Sequence, residues 1–146
     1  MKLKGNEKMK VGFTGTRRGM TSGQRAALRA LLQLWSDDLE SFHHGGCVGA
    51  DAQAHALAGQ AVGLERVVKH PPVDSSKMAR CEGGVALEPK PYLVRNQEIV
   101  DVVDCLVAAP KTSVEVRRSG TWATVRMARK RLVRVVLLHP DGSIEE

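Results

Sequence analysis

The chain is poor in aromatic side chains: two tryptophans, two phenylalanines and one tyrosine stand among 146 residues. That scarcity argues against a sandwich built on aromatic pairs. It also argues against single-strand DNA binding, which stacks bases on aromatic platforms along a basic groove. No stretch approaches the length of a membrane span, and the apolar run Val135-Val136-Leu137-Leu138 is strand-sized. The first ten residues are basic and polar, so no signal peptide is expected, and residues 1–8 read as a loose basic leader. Cys47, Cys81 and Cys105 match neither a CxxC nor a zinc-ribbon spacing. With no secretion signal, three such cysteines point to reduced thiols in a cytoplasmic protein.

What is present suits one domain over residues 9–146. Alanine, valine and leucine supply most of a 42% hydrophobic content, enough for a single core covered by helices. The formal charge of +6 is spread between Lys2, Lys4, Lys8 and Lys10 at one end and Arg126, Arg129, Lys130, Arg131 and Arg134 near the other. A dispersed charge speaks for an anionic small ligand more than for nucleic acid.

Periodicity along the chain predicts alternating strands and helices. A strand over 9–16 runs into a glycine turn, and Thr21 with Gln24 forms a capping box opening a helix. Leu28, Leu31, Leu32, Trp35 and Leu39 mark its buried face at helical spacing. Strands follow over 41–46, 65–70, 104–109 and 134–139, with helices over 49–62, 92–103 and 120–131 between them. Residues 73–91 show no usable periodicity and read as a long, lid-like loop. Five strands alternating with four helices imply an α/β, Rossmann-like, doubly wound and mostly parallel sheet with helices on both faces. Right-handed crossovers then bring the strand-to-helix loops to one sheet edge.

Three turns on that edge carry candidate binding residues. The first holds Thr14, Gly15, Thr16 and Arg17, where free helix N–H groups and a guanidinium suit a phosphate. Its glycines do not fit GxGxxG, and no Gly-Lys-Ser/Thr of a Walker loop is present, so no dinucleotide cofactor is expected. Any such turn can carry glycine without a ligand, which leaves phosphate binding open for this one alone. The second turn holds Gly45, Gly46 and Asp51; the acid suits either ribose hydroxyls or simply the helix dipole. His43, His44, Cys47 and His55 lie nearby, but their spacing fits no familiar zinc site, so no metal is expected. The third turn holds Arg118, Ser119, Gly120 and Thr121, readable as an anion cradle or as an ordinary N-cap. Arg95 and Asn96, just past Pro91-Tyr92, add a cation and an amide, and Tyr92 or Trp122 can stack on a base.

Gly12 to Thr16, His44 to Asp51, Leu93-Val94-Arg95-Asn96 and Ser119 to Ala123 together resemble the SLOG superfamily, in its YpsA-related branch. That superfamily also includes LOG phosphoribohydrolases, the DNA-uptake protein DprA and molybdenum-cofactor carriers. The resemblance spans roughly residues 9–140 and implies a Rossmann-like sheet with a nucleotide-type ligand at the glycine turns. LOG enzymes carry Pro-Gly-Gly-x-Gly-Thr-x-x-Glu, whose glutamate acts in glycosidic cleavage. Here the segment ends in Thr124, and a hydroxyl cannot replace a carboxylate acid or base near neutral pH. The expectation is therefore a sensor or carrier of a nucleotide derivative, such as an ADP-ribose-like molecule or a nucleoside phosphate. An N-glycosidic hydrolase and a DprA-like DNA binder stand as alternatives, with a homodimer or higher homo-oligomer as the assembly.

Overall fold

The computed structural model describes residues 8–146, so most of the basic leader lies outside the described residues. Strand β1 (Met9–Gly15) alternates its side chains: Val11 and Phe13 enter one core layer, and the helices of the other face lie over the residues between them. It pairs in parallel with β2 (Leu39–His44) on one side and β5 (Cys105–Ala109) on the other. Outward from these lie β3 (Val67–Lys69) and the two-residue β4 (Val85–Ala86), and on the far side β6 (Arg134–Leu138) and β7 (Ile144–Glu145). The order is β4-β3-β2-β1-β5-β6-β7, parallel throughout except for the last pair.

Helices α1 (Ser22–Trp35) and α2 (Ala50–Val62) cover one face of the sheet, and α3 (Tyr92–Val102) and α4 (Gly120–Lys130) the other. The first layer buries Leu28, Leu32, Trp35 and Ala54 against Val11, Phe13, Phe42 and Val107. The second buries Val100, Trp122 and Val125 against Leu106 and Leu137. Each fully buried leucine or valine contributes roughly 1.5–3 kcal/mol relative to an exposed one. The capping box forms as the sequence implied: Gln24 N donates to Thr21 Oγ1 at 3.0 Å and Thr21 N to Gln24 Oε1 at 3.0 Å. The same Gln24 amide is buried and donates to the carbonyls of Pro110 and Leu138, tying α1 to the ends of β5 and β6.

The sheet has seven strands where periodicity indicates five. Strands β4 and β7 are two residues long, too short to carry a period. The latter is set by the turn after Pro140, where Asp141 Oδ1 accepts from Ser143 N and Oγ. Residues 73–91 are also held more closely than a free loop. Leu87 N donates to Lys69 O, Ala79 N to Gly46 O and Lys90 N to Pro71 O, which fastens the segment along the β3 edge. None of these residues lines the cleft described below, and the segment runs beside it as a strap. Among the described residues, no helix is long and apolar enough to cross a membrane.

Candidate functional site

Because β1, β2 and β5 run the same way, their carboxyl ends open together. The helix after β1 lies on one face and the helix after β5 on the other, and a crevice opens where the two connections part. It is a cleft of about 480 Å³. Twelve of the thirteen candidate residues line it: Thr14, Gly15, Thr16 and Arg17 from the first turn, Gly45 and Asp51 from the second, Arg95 and Asn96 from α3, and Arg118, Ser119, Gly120 and Thr121 from the third. Gly46 does not. Its N–H donates to His44 Nδ1 at 3.0 Å, and the open side of its Cα faces Pro71, on the strap side of the turn.

The three turns brace one another. Thr16 O accepts from Ala50 N at 3.0 Å, so the first turn holds the start of α2, and Thr16 N donates to Ala109 O at 3.3 Å at the end of β5. Gly49 sits between, with φ at +89°; a Cβ there would lie 2.1 Å from Arg17 O. Gly45 has no room either, since a Cβ would come within 2.1 Å of Arg95 Nη1. That guanidinium is buried and donates to Gly45 O, to His70 O at 3.1 Å and, through Nε, to Asn96 Oδ1 at 2.8 Å. Arg95 thus fixes the second turn against α3 while still bordering the cleft.

Asp51 lies in the first turn of α2, where the helix dipole favours an acid, and its Oδ2 accepts from Cys47 N at 3.2 Å. Burial pushes its carboxyl up from 3.8 to about 6, against the pull of Arg95 and of the Cys47 and Gly45 N–H groups. Among the described residues it is the one carboxylate on the lining, with Arg17, Arg95, Lys111 and Arg118 around the same cleft. The cleft is therefore positive, and anions are favoured in it.

At the third turn Ser119 is the N-cap of α4, its Oγ accepting from Trp122 N at 3.2 Å. The N–H groups of Gly120 and Thr121 are engaged by no other described residue, and a Cβ on Gly120 would meet nothing within 4 Å. This helix end is open for a ligand to reach. Thr124, one turn on, is buried and donates its hydroxyl to Gly120 O at 3.0 Å. Neither aromatic singled out for stacking is free to do so. Trp122 is buried in the α4 core layer, and Tyr92 has Arg17, Lys77 and Arg95 within 5.4 Å of its ring centroid.

Comparison with solved structures places this arrangement. The chain is similar to DNA processing protein A from Helicobacter pylori, studied for its single-stranded DNA binding mode, with 19% identity, a TM-score of 0.68, and coverage of 93% of this chain and 70% of that one. It is similar to the molybdenum cofactor binding protein from Rippkaea orientalis, with 23% identity, a TM-score of 0.69, and coverage of 91% and 77%. The Moco carrier protein from Chlamydomonas reinhardtii matches at 20% identity and a TM-score of 0.65, over 90% and 76%. The chain has their fold. This is the SLOG-type fold that the ordered glycine turns implied. No protein-family model and no curated protein matches the sequence.

Within that fold two histidine clusters sit behind the second turn, and neither was legible as a unit. In one, Gly46 N–H donates to His44 Nδ1, which leaves the His44 Nε2 proton to bridge to His55 Nδ1 at 2.9 Å. His55 Nε2 then donates to Glu82 O at 2.7 Å. Cys81 lies close enough that its sulfur and the two ring nitrogens fall within 4.8 Å of one another. A metal there would have to displace the proton that His44 Nε2 carries while Nδ1 accepts, so the donor set fits a closed hydrogen-bond chain better than a cation. In the other cluster, Ser41 Oγ, His43, His70 and Glu98 Oε1 form a line with steps of 2.8, 2.8 and 2.7 Å. Lys90 closes that line at 3.1 Å from Glu98. Desolvation holds His43 at about 4 and His44 at about 3, so both rings are neutral near pH 7.

The sequence reading missed Lys111 and Ile99 on the lining and treated Cys47 only as a metal candidate. Position two residues past the end of β5 marks Lys111 in hindsight; nothing local marks Cys47.

Proposed function

We propose that the chain binds a phosphorylated, nucleotide-derived small molecule in this cleft, as a carrier or sensor. The observation that carries the reading is the open N-terminus of α4: two unengaged backbone N–H groups, free space at Gly120, and Arg118 beside them. A phosphate among Gly15, Thr16, Ser119, Gly120 and Thr121 meets a positive helix end, and Arg17 and Lys111 add charge at the rim. Two proteins of the same fold are a molybdenum cofactor binding protein and a Moco carrier protein, which is consistent with a small-molecule cleft. A single-stranded DNA ligand, as described for DNA processing protein A, is less well served here. Phe13, Phe42, Trp35 and Trp122 are buried, and Tyr92 is packed among cations, which leaves no exposed platform for bases. Self-association fits the outer face of α3, where Leu93 and Val94 are 66% and 53% exposed.

Native mass spectrometry of freshly purified protein, followed by calorimetry with nucleoside phosphates, tests the reading. Gly120→Asp is the decisive variant. The new side chain has room, and an acid in the first helical turn favours α4, so thermal stability is kept or slightly raised. The same carboxylate repels a phosphate, so nucleotide binding is lost. Full binding by the variant removes the phosphate from this position.

A further inference from the structure

We propose that Cys47 is a reactive thiol of the cleft, oxidised by peroxide to a sulfenic acid held by Arg95 and Tyr92. The residue is 5% exposed, and it lies on the cleft lining. Its sulfur is surrounded by donors. Arg95 Nη1 and Nη2 each lie 3.7 Å from Sγ, and a guanidinium can only donate. The Tyr92 hydroxyl is also 3.7 Å away, and Arg17 already donates to that hydroxyl's oxygen, which frees the phenolic hydrogen for the sulfur. An electropositive setting that opens onto a ligand space is where reactive cysteines occur.

An independent feature points to a guest beside this sulfur. Asn96 is 7% exposed and lines the same cleft. Its Oδ1 is taken by Arg95 Nε, and among the described residues nothing accepts from its Nδ2. The two amide protons of this cleft-wall residue thus have no acceptor among the described residues.

The reaction is self-contained once peroxide is the oxidant. A sulfur lone pair attacks one peroxide oxygen and the O–O bond breaks. The second oxygen leaves with the thiol proton as water, so sulfur loses two electrons and peroxide gains them. The sulfenic oxygen then accepts from the Arg95, Tyr92 or Asn96 donors. The other two cysteines are set differently. Cys105 is fully buried, and burial pushes its thiol up to about 11. Cys81 is more exposed than Cys47, and burial raises its thiol as well.

Treating the full chain with hydrogen peroxide in the presence of dimedone, then mapping adducts by peptide mass spectrometry, tests the assignment. Cys47 should be labelled several-fold faster than Cys81 despite its lower exposure. Tyr92→Phe and, separately, Arg17→Gln should slow that labelling several-fold while Cys81 keeps its rate. Cys81 leading, Cys47 lagging at the rate of Cys105, or both variants labelling as fast as the parent would overturn the proposal. A second arm rests on the reading that the cleft holds an anion: added pyrophosphate should slow labelling of Cys47 alone. Fast labelling that pyrophosphate leaves untouched keeps the thiol assignment and counts against the anion reading; binding of pyrophosphate with no labelling does the reverse.

Discussion

Asp51 titrates in the opposite sense to His43 and His44, and it opposes them in how the protein answers to acid. Asp51 rises from 3.8 to about 6 on folding, so between those values the native state holds the extra proton and stability falls as pH rises. His43 and His44 drop from 6.5 to about 4 and about 3, so the unfolded state holds the extra protons and stability rises with pH. Each proton is worth ~1.4 kcal/mol per pH unit. The two histidines outweigh the one carboxylate between roughly pH 4 and pH 6, and His70, also held below its usual value by burial, acts in their sense. Asp51→Asn keeps an acceptor for Cys47 N–H and removes the opposing group. Its stability should therefore climb more steeply across the same window, by about 1.4 kcal/mol per unit, measured by urea unfolding at a series of pH values. An unchanged slope would mean that Asp51 is ionised throughout.

The elements are joined through their ends more than through their faces at this site, and Gly49 is the tightest of these joints. It places α2 so that Ala50 N reaches Thr16 O, with Arg17 O where a side chain would begin. Gly49→Ala has to pay for a positive φ and for a clash with backbone that cannot swing away, about 2–3 kcal/mol in all. Thermal melting reads that loss, and ligand binding should weaken with it because the first and second turns move apart. The elements themselves were largely legible. The capping box at Thr21 and the helical spacing of Leu28, Leu32 and Trp35 located α1, and Pro110 marked the end of β5. What escaped was whatever depends on partners far along the chain. The two-residue β4 exists only because Lys69 O is there to receive Leu87 N, and the strap over 73–91 follows from such contacts. Trp122 opens a helix and looks available from its neighbours, yet helical phase turns it into the core beside Val125 and Ala128.

At the scale of the whole molecule, strand order decides where the cleft opens, and the turn chemistry decides what it can do. That is why the glycine turns could be brought to one edge from sequence, while the joint role of Arg95, which reaches Gly45 fifty residues away, could not. A shared fold fixes neither substrate nor reaction. Cleavage of a nucleoside bond needs a group that protonates the leaving base or steadies an oxocarbenium-like charge. Thr124, which the resemblance matches to the LOG glutamate, donates its hydroxyl to the Gly120 carbonyl of its own helix. The remaining carboxylate on the lining, Asp51, is engaged with the N–H groups of its own loop. Incubation with purine nucleoside monophosphates should consequently release little free base, read by chromatography over hours. Rapid release would make Asp51 the acid to test first, and Asp51→Asn should then abolish it. Thr124→Glu is the converse experiment: a slow hydrolysis gained by that variant would show that the cleft already holds its ligand in a productive geometry and lacks only the carboxylate.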